Sequence, residues 1–130
     1  MFKRISRTEV SQPEDQTIRY IGLTQGQVAI IDAQDYERAQ SIRWFAIWKP
    51  HHGKFYVNGY VGRNKYIRLQ NFLMKPPLGL FVDHINRDPL DNRRSNLRIV
   101  THAENCKNRG PRSDRGKKRT YYRGEPIVRD

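Results

Sequence analysis

Apolar runs along this chain are short and interrupted. Residues 17–23 and 28–31 are rich in β-branched side chains and are split by Thr24, Gln25, Gly26 and Gln27, an order that predicts a hairpin. Asp32 then stands where an N-cap would, ahead of a short helix over 35–41 with Ala33, Tyr36 and Ala39 or Gln40 at helical spacing. The aromatic run 43–48, closed by Pro50, reads as a strand. His51, His52 and Gly53 make a turn, and 55–61 is expected to pair through 62–65 with 66–69. One helical turn at 71–74 ends before Pro76 and Pro77. Residues 80–82 and 97–100 are apolar runs around a loop dense in Asn, Asp and Arg. Thr101 and Glu104, three residues on, then form a capping box that starts a helix. Residues 1–16 are polar and lack periodicity, so a flexible arm is expected there. The predicted class is α+β: a small antiparallel sheet with a short helix over 17–79, a β–loop–β–α unit over 80–109, and a basic flexible tail over 110–130.

The charge balance narrows the partners. Twenty-five Lys and Arg against thirteen Asp and Glu leave +12 over 130 residues, with a sequence pI near 10.3. Such a surface favours polyanions, nucleic acid first and an anionic membrane surface second. Residues 107–123 hold eight Lys or Arg and one acidic residue, so Lys107, Arg109, Arg112, Arg115, Lys117, Lys118 and Arg119 are candidate phosphate contacts. No apolar run approaches the ~18 residues of a spanning helix, and the first residues lack the apolar core of a leader, so a cytoplasmic protein is expected. Cys106 alone excludes an intrachain disulfide framework or a Cys-rich zinc site.

The chemistry is concentrated in residues 82–108. His84, several carboxylates and Asn86, Asn92, Asn96, Asn105 and Asn108 lie among Val82, Ile85, Leu90, Leu97, Ile99 and Val100, which would buttress them. Asp83 and His84 would face opposite sides of a regular strand, so one site takes both only if the strand ends or twists there. Thr101, Asn105 and Asn108 share one helical face. A carboxylate from Asp83 opposite the carboxamide of Asn105 is an oxygen-only pair suited to Mg²⁺ or Mn²⁺. His84 beside it is a proton acceptor that works near neutral pH.

Asp83-His84, the run 90–98 (Leu-Asp-Asn-Arg-Arg-Ser-Asn-Leu-Arg), residues 101–105 and Asn108 resemble the HNH nucleases in order and spacing. Leu23-Thr24-Gln25-Gly26 and Trp44-Phe45 also look like the N-terminal region of phage and intron-borne HNH homing endonucleases, so the resemblance covers about residues 17–109. It implies a ββα-metal motif over 80–109, with His84 as general base, Asp83 and Asn105 as metal ligands, and Asn96 orienting the His84 ring. Asn92 and Asn108 are possible supports. The expected reaction is metal-dependent hydrolysis of duplex DNA to 5′-phosphate and 3′-hydroxyl ends. The chain departs from many relatives in having Gln70-Asn71 where they have His-Arg.

Other features have plainer readings beside the sharp ones. His102 and Cys106 are spaced to clip zinc, but two ligands do not make a structural site. Trp44, Phe45, Trp48, Phe55, Tyr56 and Tyr66 would stack on bases or fill a core. Arg63, Lys65 and Arg68 on the hairpin would touch phosphates or form a solvated face, and Arg93, Arg94 and Arg98 in the motif are expected to bind DNA. A non-catalytic DNA-binding module on the same scaffold is the alternative function, and a basic RNA-binding protein a third. Neither requires Asp83, His84, Asn96 and Asn105 together.

Overall fold

The computed structural model describes residues 7–108. The first hairpin forms as its pattern predicts. β1 (Ile18–Gly22) and β2 (Val28–Asp32) pair antiparallel from Ile18↔Asp32 to Gly22↔Val28. The alternation of β2 sends Ala29 and Ile31 fully into the core. The expected flexible arm is tied down over residues 7–16: Thr8 donates its N–H and its hydroxyl to Leu23 O, and the Gln12 amide brackets the main chain of Tyr20. A Cβ at Gly22 would run into the Thr8 carbonyl, so this close approach requires glycine.

α1 (Ala33–Ala39) starts at Asp32, but the Asp32 side chain does not cap it. Its carboxylate instead accepts the backbone N–H of Arg94 at 3.1 Å, 62 residues away, a contact that no local pattern encodes. β3 (Trp44–Lys49), β4 (Lys54–Gly62) and β5 (Lys65–Arg68) form an antiparallel sheet. Trp44, Ala46, Phe55 and Val57 are buried on one of its faces, and the Trp44 indole N–H reaches Ala39 O at 2.9 Å. Gly59 lies opposite Trp44, where any Cβ would overlap the indole and Ile42. α2 (Leu69–Met74) begins two residues before the expected turn, buries Leu69, Gln70 and Leu73, and closes at Lys75 with φ +47°.

The single N-terminal sheet expected from the sequence is in fact two. β6 (Phe81–His84) and β8 (Leu97–Val100) make a third, two-stranded sheet. Between them β7 (Asp91–Asn92) crosses to pair parallel with β2, Ile30↔Asp91 and Ile31↔Asn92, so the polar loop becomes the edge of the first sheet. A 3₁₀ turn (Arg94–Asn96) leads into β8. α3 (His102–Lys107) carries the expected capping box, with Glu104 N–H on the Thr101 hydroxyl and Thr101 N–H on the Glu104 carboxylate. One core joins all three sheets through Leu23, Ile31, Val57, Leu69, Leu90 and Leu97. Ile85 and Ile99, expected to buttress the loop, are instead 49% and 40% exposed. Among the described residues no helix is long and apolar enough to cross a membrane.

Candidate active site

β6 ends at His84, so Asp83 and His84 occupy the last two positions of the strand. Asp83 and His84 are only 6% and 7% exposed. His84 Nε2 lies 2.9 Å from Asn92 Oδ1, and the Asn92 amide is oriented by donating its N–H to Pro89 O. Since that oxygen can only accept, Nε2 carries the proton and Nδ1 keeps its lone pair. Burial pushes the imidazole below its ordinary value of 6.5, against the Asn92 hydrogen bond and the carboxylates of Asp88, Asp83 and Asp91, which pull it up. His84 is therefore neutral at pH 7 and able to take a proton.

Asp83 is held from two sides. Arg98 Nε and Nη2 reach Oδ2 at 3.1 and 3.0 Å, and Asn108 Nδ2 reaches Oδ1 at 2.8 Å while also bonding His84 O at 2.7 Å. Asn108, at the end of α3, thus clamps the helix to β6 beside both candidate residues, and Phe81 packs on His102 from the same strand with ring centroids 5.6 Å apart. A carboxylate has about four acceptor positions; three are taken, and the one left is on Oδ1. Asn105 lies one turn before Asn108 on the same helical face, half-buried, with a carboxamide that bonds no other described residue. This donor set fits a hard divalent cation bound by one carboxylate oxygen and one amide oxygen, with its other positions left for water and phosphate. Among the described residues no cluster of three or more His, Cys, Asp or Glu offers a closed metal cage.

Asn96 is not the partner of the His84 ring. Its Oδ1 accepts Asn86 N–H, and its Nδ2 donates to Asn86 Oδ1 and Asp91 O, which staples the two ends of the 85–91 loop. Asx turns at Asn86 and Asp88 tighten the loop further. Asn92, which sequence reasoning left open, takes the ring role because β7 pairing buries it completely beside His84.

Three arginines expected on phosphates are engaged by carboxylates. Arg93 makes a two-pronged pair with Asp91, Arg98 holds Asp83, and Arg94 forks onto Asp35 with Nε–Oδ2 and Nη2–Oδ1 both at 3.0 Å. Burial pushes the Asp35 and Asp91 carboxyls up, and their arginine hydrogen bonds more than reverse it, so both sit below the usual carboxylate value. Arg63, Lys65, Arg68 and Lys107 are exposed. The other basic candidates, Arg109, Arg112, Arg115, Lys117, Lys118 and Arg119, lie outside the described residues, as does the 110–130 tail. The Asp35–Arg94 bridge was invisible in sequence, since neither residue stands in a motif with the other.

Comparison with known proteins bears on the same segment. The model of the HNH endonuclease family matches residues 46–107, from the second strand pair through α3. No curated protein and no solved structure matches the chain. The match spans Asp83, His84, the stapled loop and the capped helix, so residues 46–107 are similar to the HNH endonuclease family.

Proposed function

We propose that this chain is a metal-dependent DNA endonuclease of the phage or intron homing type. The observation that carries the proposal is the neutral, buried His84, whose Nδ1 is left to accept a proton by the Nε2–Asn92 bond, beside the braced Asp83. In this reading His84 Nδ1 takes a proton from water as the water oxygen attacks the scissile phosphorus. The P–O3′ bond breaks with its electron pair on O3′, which takes a proton from solvent, leaving a 5′-phosphate and a 3′-hydroxyl. Asp83 and Asn105 would hold Mg²⁺ or Mn²⁺, which supplies positive charge for the developing 3′ oxyanion. Asn92 keeps the ring in its productive tautomer, Asn108 fixes the spacing of Asp83, His84 and α3, and Asn96 holds the loop behind them. Exposed Arg63, Lys65, Arg68 and Lys107, with the basic residues after 108, would position duplex DNA without reading sequence.

Supercoiled plasmid incubated with Mg²⁺, with Mn²⁺ and with EDTA tests this. Conversion to open-circular or linear DNA in the first two and none in EDTA is expected, with Asp83→Ala inactive in all three. Cleavage that persists in EDTA, or in Asp83→Ala, would remove the metal site from the mechanism.

A further inference from the structure

The sheet β3–β4–β5 buries one face and leaves the other open among the described residues. Strand alternation puts Phe45, Lys49, Tyr56, Tyr60, Tyr66 and Arg68 on the open side. Tyr60 and Tyr66 are cross-strand partners, 47% and 54% exposed. With Phe45 they form a ring cluster whose centroids are 4.7, 5.1 and 6.0 Å apart. A core does not need these rings, since Trp44, Trp48 and Phe55 already supply the buried face.

The charge on this face is equally one-sided. Lys49, Lys54 and Arg68 stand on it, and residues 44–68, which supply its three strands, contain no Asp or Glu. Lys49 sits over the Tyr56 ring at 4.9 Å. Its ammonium is held below the ordinary lysine value by partial burial and by nearby Arg68, a repulsion that an arriving anion would relieve. A ligand that is anionic along its length and offers flat faces at intervals answers both features, and that describes a polynucleotide with unpaired bases. A duplex offers the same phosphates, but its base faces are stacked within the helix and closed to the rings. Lys54, cross-strand from Lys49, donates to Arg87 O at 2.6 Å, so this face abuts the loop that carries the site.

We propose that the open face of β3–β4–β5 binds an unpaired stretch of DNA, with Tyr60, Tyr66 and Phe45 stacking on bases and Lys49 and Arg68 meeting phosphates. The choice of DNA over RNA rests on the endonuclease reading above, and the binding itself does not. The test is run in EDTA, where no cleavage occurs. Fluorescence anisotropy of the full chain with a labelled 12-nucleotide oligo(dT), the matching dA·dT duplex and oligo(U) gives three affinities. The oligo(dT) affinity should fall about tenfold or more in Tyr60→Ala/Tyr66→Ala, change little in Tyr60→Phe/Tyr66→Phe, and leave duplex affinity within about twofold. Arg68→Ala should lower the salt slope for oligo(dT) by about 0.7, the single-strand value per phosphate. Circular dichroism confirms that each variant is folded. Unchanged oligo(dT) affinity in the alanine variant, equal losses on oligo(dT) and duplex, or tighter binding of oligo(U) than oligo(dT) would each overturn the proposal.

Discussion

Replacing Arg94 with Met tests the bridge that fastens the site-bearing segment to the N-terminal hairpin. The Arg94 fork makes two charge-assisted bonds to Asp35 and a third contact, Nη2 to Leu73 O at 3.2 Å. Each charge-assisted bond is worth about 1.5–3 kcal/mol in protein interiors. The Arg94 side chain is 39% exposed and Asp35 4%, so solvent screens part of that, and Asp35 keeps Arg38 at 3.1 Å. Two such bonds would give about 3–6 kcal/mol, and the screening together with the retained Arg38 pair brings the expected loss below that range, to about 2 kcal/mol, or roughly 8 °C in Tm for a domain of this size. The Asp35 carboxyl is held below 3.8 in the fold, so its contribution is present above the unfolded value and is lost as pH falls through the folded one. In urea melts the gap between wild type and Arg94→Met should be full from pH 5 to 8 and should narrow below 3.8, the ordinary Asp value. A gap under about 0.5 kcal/mol at pH 7, typical of a surface substitution, or one unchanged in acid, would refute the bridge.

Three further outcomes follow from the site. Asn92→Ala should lower the single-turnover cleavage rate about 10- to 100-fold, less than removing a general base outright, with thermal melts separating this from loss of fold. Asn96→Ala opens three hydrogen bonds of the loop and should cost about 2–3 kcal/mol in chemical denaturation. If His84 is the base, its neutral form is required and its imidazole is held below 6.5, so the cleavage rate should fall only on the acid side, with its midpoint below 6.5, as a pH–rate series would show.

Local chemistry was legible in the sequence. The Thr101 capping box, the first hairpin and the pairing of 55–61 with the strand after 65 follow from side chains within a few residues of each other, and each forms as read. Asp83 and His84 stand out in the sequence because their spacing to the downstream asparagines resembles a known pattern. What escaped was long-range: β7 pairing with β2, Asp32 caught by Arg94, and the exchange of Asn92 for Asn96 on the His84 ring. These depend on which loop packs where, and any Asn in a turn-rich loop is locally equivalent to its neighbours. The aromatic run 43–48 shows the same limit. Its alternation sends Trp44 and Phe45 to opposite faces, yet which face is core depends on α1 and α2, which pack against Trp44.

The most direct test of the account is His84→Ala, assayed for single-turnover cleavage and for DNA affinity on the same duplex with Mg²⁺. The account predicts a cleavage rate reduced by at least about 100-fold with affinity within about twofold of wild type. Cleavage at the wild-type rate in His84→Ala would contradict it.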